Sequence, residues 1–225
     1  MKRSILLALG AGISAVTAFA AEPFVKYDFT GKTIQCSGTV KEQLVFREDP
    51  VIFVGKDGKF ALGLRKKGYA EVPGGEKFDA SNGLTIVCKM TFPKPSKDAN
   101  GKQTYDMIVF KNNEFLIGRA ADRLYFNFAI DGKWAVKGAS PDLPAVGTPV
   151  VAAATVEVQN GQYIYKVFVN GKLCTQGALN GKFKPSASPL RIGRGWGSQW
   201  DAYANVAEVA IYPAAMSEAE IAQIK

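Results

Sequence analysis

The chain has 225 residues, a formal net charge of +8 and no histidine. An apolar fraction of 47% with 21% charged residues suits a globular protein, and this length buries a core without help from a disulfide or a metal. The missing histidine excludes Ser-His-Asp and Cys-His nucleophiles, histidine-ligated zinc and a histidine general base, so catalysis would rest on carboxylates, Lys, Tyr, Arg or a cofactor.

Residues 1–20 have the make-up of a secretory signal peptide. Lys2 and Arg3 precede an apolar stretch from Ile5 to Phe19, broken by Gly10 and Gly12, and Ala18-Phe19-Ala20 forms an A-x-A cleavage site. The run is too short and too rich in small residues for a membrane anchor. Cleavage after Ala20 is expected, leaving residues 21–225 as one domain with no membrane span, secreted or periplasmic.

From residue 25 onward the sequence alternates between β-rich runs and tight-turn dipeptides. Asn-Gly stands at 82–83, 100–101, 160–161, 170–171 and 180–181, and Asp-Gly at 57–58 and 131–132. These pairs accept the positive φ angles of type I′ turns, whose twist matches a β-hairpin. Strands are expected at Val25–Thr30, Pro50–Val54, Phe60–Leu64, Leu84–Phe92, Asp106–Lys111, Glu114–Gly118, Arg123–Ile130, Val150–Val158, Tyr163–Val169, Leu190–Gly193 and Val206–Tyr212. The hairpin on Asn160-Gly161 continues past Asn170-Gly171 into a meander. So many short strands imply an all-β fold, a two-sheet antiparallel β-sandwich or jelly roll.

Cys36, Cys88 and Cys174 are an odd number and make no C-x-x-C pair, so redox or zinc chemistry is not indicated. Cys88 shares the alternation phase of Leu84, Ile86 and Met90 and is expected in the core. Residues 217–221 carry the one helix signal: Ser217 as N-cap, Glu220 completing a capping box, and Met216 with Ile221 as a hydrophobic staple. This short C-terminal helix is expected to be an ornament rather than a core element. The basic residues are scattered or in short runs such as Arg65-Lys66-Lys67, without interleaved aromatics. Nucleic acid is therefore not an expected partner, and an anionic glycan or acidic envelope surface suits the charge better.

Three stretches, Gly58 to Leu64, Gly68 to Pro73 and Gly83 to Met90, resemble the opening of bacterial LamG-like jelly-roll domains of the concanavalin A-like lectin/glucanase superfamily. Phe168 to Lys172, Arg191-Ile192-Gly193, Ala207 to Tyr212 and Ser217 to Ile221 resemble that family's closing segments. The resemblance spans roughly residues 24–225. It implies two face-to-face sheets, one of them concave, with the first and last strands adjacent. The chain departs from the family where acids often stand, with Gly68 and Ala207 instead, so bound calcium is disfavoured and no cofactor or metal site is expected. The family's central-strand Trp is replaced by Val151-Ala152-Ala153-Ala154. Related glucanases carry an E-x-D-x-x-E acid cluster on one strand; here Glu157 and Glu208 stand alone, each read as a solvated outer-face residue.

The segment from Gly193 to Tyr203 is the candidate site. Sugar rings stack on flat aromatic faces while amides, carboxylates and Arg bond their hydroxyls. Trp196, Trp200 and Tyr203 offer faces; Arg194, Gln199 and Asp201 offer polar contacts. The alternative is that these aromatics fold back to plug the sandwich end. Trp134 is read as a packing residue at a hairpin. The reading that follows is an exported, non-catalytic binding module for a carbohydrate or cell-surface glycan. A structural or protein-interaction domain of the envelope comes second, and a glycan-active enzyme third.

Overall fold

The computed structural model describes residues 22–48, 52–53, 59–97, 100–101, 104–135 and 138–224. The signal-peptide segment, its cleavage site and the turn expected at 57–58 lie outside the described residues. In chain order the strands are β1 (Val25–Asp28), β2 (Gln35–Ser37), β3 (Val45–Arg47), β4 (Ile52–Phe53), β5 (Leu62–Arg65) and β6 (Tyr69–Val72). There follow β7 (Gly83–Thr91), β8 (Tyr105–Lys111), β9 (Phe115–Ala120), β10 (Arg123–Ile130), β11 (Lys133–Trp134) and β12 (Gly138–Asp142). The last are β13 (Pro149–Gln159), β14 (Gln162–Val169), β15 (Lys172–Leu179), β16 (Leu190–Ile192) and β17 (Tyr203–Tyr212), with helix α1 (Glu218–Gln223) after them.

These strands form two antiparallel sheets. One runs β15-β14-β13-β7-β17-β1-β2, with β5 also on β17 and β4 on β5. The other runs β11-β10-β9-β8-β16-β6-β3, with β12 also on β10. The all-β jelly roll with a short C-terminal helix is the architecture expected from the sequence, and β1 pairs β17 as the family resemblance implied.

Three of the expected turn dipeptides have type I′ geometry, whereas at 82–83 and 180–181 only the glycine has positive φ. Asp131-Gly132, Asn160-Gly161 and Asn170-Gly171 each place both central residues at positive φ. A fourth such turn, Ala121-Asp122 at φ 49° and 58°, joins β9 to β10 without a glycine. Strand alternation then fills the space between the sheets. Leu84, Ile86, Cys88 and Met90 of β7 all point inward, with Cys88 fully buried and its thiol pushed up by burial. They pack with Ile117, Leu124, Phe126, Phe128 and Val156 among others. All three cysteines are free.

Two β-bulges re-phase strands that would otherwise turn their apolar residues the wrong way. In β17 the register shifts between Val206 and Glu208, so Ala204 and Val206 face inward before the bulge and Val209 and Ile211 after it. Ala207 is the extra residue, and its carbonyl accepts a hydrogen bond from the Phe29 amide. In β8 a shift between Met107 and Val109 leaves Ile108 and Val109 both in the inter-sheet core, with Met107 and Phe110 both on the outer face.

Three sequence readings need correction. The helix is more than an ornament: its capping box forms as expected, and Ile221, fully buried, covers an apolar row on the outer face of the nine-stranded sheet. Glu208 is not solvated. The bulge turns it outward between β1 and β7, where Lys26 lies 2.9 Å and Lys89 3.4 Å away, and it is only 8% exposed. β2, β3, β11 and β12 are short strands that the sequence pattern did not mark.

Candidate functional site

The segment between β16 and β17 keeps its tryptophans out of the space between the sheets, while Ala202 at its end joins the inter-sheet core. It crosses the outer face of the eight-stranded sheet beside β8. Its base is fixed by backbone bonds from Gly193 N to Ile108 O (3.0 Å) and from Ala202 N to Gly193 O (2.8 Å). Close approach needs glycine at 195, since a Cβ there would lie 2.9 Å from both Met107 Cγ and Trp200 Cβ. The turn Ser198–Trp200 then brings Trp200 down onto the sheet.

Beneath the segment the sheet itself is apolar. Met107, Phe110 and Leu116 form a buried cluster, with Tyr105, Tyr125, Trp134 and Trp200 packed partly buried against it. Phe110 and Leu116 sit directly opposite across β8 and β9. Trp196 rests on top, edge-on to three rings: Phe110 at 4.9 Å, Trp200 at 5.1 Å and Trp134 at 5.5 Å between centroids. Tyr105 extends the cluster, 4.5 Å from Trp200. Edge-to-face geometry at these distances is the favourable one for aromatic pairs. Trp196 nevertheless stays 43% exposed, the largest such value for an aromatic side chain among the described residues.

The six residues singled out from the sequence separate into four roles. Trp196 and Trp200 belong to the aromatic platform. Arg194 and Asp201 form a buried clamp at the base of the segment: Arg194 Nε donates to Asp201 Oδ1 at 2.5 Å and Nη2 to Oδ2 at 2.6 Å. The same guanidinium donates to both oxygens of Glu48 and lies over the Tyr69 ring, 4.5 Å from its centroid. These two carboxylates, Asp201 first, hold the guanidinium protonated well beyond its ordinary range, and Arg194 in turn holds the Glu48 carboxyl below the usual glutamate range. Arg194 and Asp201 thus spend their hydrogen bonds on holding the segment in place. Gln199 is exposed at its tip. Tyr203 opens β17 away from the tryptophans, beneath Arg65 and Lys94.

Sequence reasoning did not place Tyr105, Phe110 and Tyr125 beside the candidate segment; Trp134 packs at its hairpin as expected, against Phe110 and Trp196. Period-2 spacing ties Tyr105 to Met107, but Phe110 reaches the same face only through the β8 bulge. Beyond Phe110 the outer face turns polar. Arg191, opposite Phe110, donates to Glu71 at 3.3 Å and to the Gly195 carbonyl at 3.3 Å, and Arg47 donates to Glu71 at 3.1 Å. Among the described residues no group of three or more acidic or cysteine side chains converges as a metal ligand set, and no helix is long and apolar enough to cross a membrane.

Residues 64–222 match the family model described as the Concanavalin A-like lectin/glucanases superfamily. No curated protein matches the chain. Solved structures of similar fold include the receptor binding domain of botulinum neurotoxin type G, 11% identical at a TM-score of 0.65, covering 90% of this chain and 50% of the toxin domain. The binding domain of Paraclostridial Mosquitocidal Protein 1 is 15% identical at a TM-score of 0.69, covering 89% of this chain and 51% of the other. The chain therefore spans about half the length of these toxin domains. Domain 4 of AbnA, a GH43 extracellular arabinanase from Geobacillus stearothermophilus, was solved in complex with arabinotriose. It is 16% identical at a TM-score of 0.65, covering 91% of this chain and 98% of that domain.

Proposed function

The chain belongs to the concanavalin A-like lectin/glucanase superfamily, and from that premise we propose that it is an exported, non-catalytic module that binds a carbohydrate on the outer face of its eight-stranded sheet. The observation that carries the reading is Trp196, held edge-on by three aromatic neighbours with 43% of its surface open. A rigid, partly exposed indole offers a sugar ring a flat apolar face with little ordering cost, and Arg191, Gln199 and Glu71 at the margins supply hydrogen-bonding groups. The AbnA domain, solved with arabinotriose, matches over nearly its whole length and supports a sugar ligand. The toxin binding domains support a binding rather than a catalytic role.

A glycan array probed with wild type and Trp196→Ala tests the reading. Binding of at least one glycan by wild type, lost in a variant that still folds, is the expected result. Equal binding by both proteins, or binding of a protein partner with no glycan bound, overturns it. Export rests on Lys2, Arg3, the apolar run and Ala18-Phe19-Ala20. N-terminal sequencing of protein recovered from its native cells should begin Ala21-Glu22-Pro23, and an intact Met1 chain in the membrane fraction would contradict it.

A further inference from the structure

Next to the aromatic platform, where β5, β8, β9 and β17 end, lies an open cleft of about 390 Å³ with an unusual charge balance. Five cations line it, Arg65, Lys66, Lys94, Lys97 and Arg119, against one carboxylate, Asp106. Asp106 is 1% exposed in its side chain and fully engaged. Its Oδ2 accepts from Arg119 Nη2 at 2.6 Å, and its Oδ1 accepts from Lys66 Nζ and the Tyr203 amide, each at 2.8 Å. Arg119 also lies 3.6 Å from Asp122. Asp106 and Asp122 together thus balance Lys66 and Arg119.

Among the described residues three cations remain unbalanced. Arg65 donates only to neutral acceptors, the carbonyls of Leu64 and Ala204 and the Asn205 side chain, so its position is fixed while its charge is uncompensated. Lys94 Nζ sits over the Tyr203 ring, 4.6 Å from the centroid, and Arg65 lies over the same ring at 5.2 Å. Lys97 is exposed on the cleft wall, and no carboxylate among the described residues pairs with Lys94 or Lys97. Like charges gathered around one ring at a concave opening repel one another, and an anion relieves that repulsion.

The cleft and the platform are joined through one residue. The Tyr105 carbonyl accepts from Lys66 Nζ at 2.8 Å, while the Tyr105 ring packs on Trp200. We propose that the ligand is an acidic polysaccharide, whose sugar ring lies on Trp196 and Trp200 while a carboxylate or sulfate group enters the cleft among Arg65, Lys94 and Lys97. This rests on the carbohydrate-binding reading and adds the ligand's charge class and a second contact region.

Calorimetric titration against matched acidic and neutral polymers tests it: polygalacturonate and its methyl ester, alginate and its propylene glycol ester, dextran sulfate and dextran. The variants are Lys94→Gln/Lys97→Gln, Trp196→Ala, and Lys172→Gln/Lys184→Gln, which removes the same charge from exposed positions elsewhere. The expected result is binding of an acidic polymer over its neutral counterpart, weakened about tenfold or more by Lys94→Gln/Lys97→Gln and by Trp196→Ala, with the charge-matched control unchanged. Equal weakening by the control, or acidic binding indifferent to Lys94 and Lys97, overturns the cleft. Binding of a neutral polymer through Trp196 with no preference for its acidic partner overturns the proposal but leaves the carbohydrate-binding reading standing. Failure of every polymer to bind overturns both.

Discussion

On the outer face of the nine-stranded sheet, Phe168, Ala153, Val87 and Ala210 stand opposite one another across four strands, and Ile221 of α1 covers them. On the outer face of the eight-stranded sheet, Met107, Phe110 and Leu116 form a similar apolar row, covered by the segment that carries Trp196 and Trp200. The first cover fits. Its capping box satisfies the helix start, small alanines leave room beneath, and Ile221 is wholly buried. The second cover leaves Trp196 partly open although it rests on three rings. The difference lies in how each is held. The helix is held by apolar burial, which favours closure over the whole area. The tryptophan segment is held at its base by the charged clamp of Arg194, Asp201 and Glu48, which fixes position without requiring that the aromatic surface be hidden.

The comparison predicts graded responses. Asp201→Ala strips the clamp of its buried carboxylate and leaves Arg194 short of a partner. A loss of about 3–5 kcal/mol in urea unfolding is expected, and a loss below about 1 kcal/mol would show that the clamp is dispensable. Ile221→Ala opens a cavity beneath α1 and should cost about 3 kcal/mol by the same measurement. Trp196→Ala should cost about 1–2 kcal/mol, less than Ile221→Ala despite its greater size, because 43% of the residue is already in water. If Trp196→Ala costs as much as Ile221→Ala, the two covers are alike and the platform is a core. Ser217→Ala removes the helix N-cap and should cost about 1 kcal/mol. The smallest effect is on pH. The Glu48 carboxyl is held below the ordinary glutamate range, so its contribution is present above that range and is lost as pH falls through the lowered folded value. Tryptophan fluorescence of the folded protein should change across that acid range, and Glu48→Gln should abolish the change.

What the sequence made legible was local. Residues 123–130 show period-2 alternation bounded by turns, and β10 pairs with β9 from Arg123 to Phe128 without a shift. Asn160-Gly161 and Asn170-Gly171 carry their geometry in two adjacent residues. Ser217 and Glu220 are three residues apart, which is all a capping box requires. The Ala121-Asp122 turn escaped because alanine at positive φ is held there by the strands on either side, not by its own preference. The aromatic face escaped because the β8 bulge decides which side Phe110 takes, and the sequence shows no sign of it. Pairing between Arg194 and Glu48, 146 residues apart, depends on two loops meeting only after both sheets exist. The candidate segment was therefore recognisable, while the division of its residues between the buried clamp and the aromatic platform was not.

The position of β17 has a consequence for how the chain reaches this state. β17 is the last strand in sequence, yet it lies inside the nine-stranded sheet, with β7 on one side and β1 and β5 on the other. During synthesis, every strand before it can be present while β7 and β1 still have no shared neighbour. The sheet closes only when residues 203–212 arrive and make contacts with partners more than a hundred residues earlier. Such distant pairing is slow, and the incomplete chain exposes unpaired strand edges while it waits. The vulnerable interval in the life of this protein is therefore the time before its final strand is free to insert, and a chain stopped short of residue 203 should aggregate rather than fold.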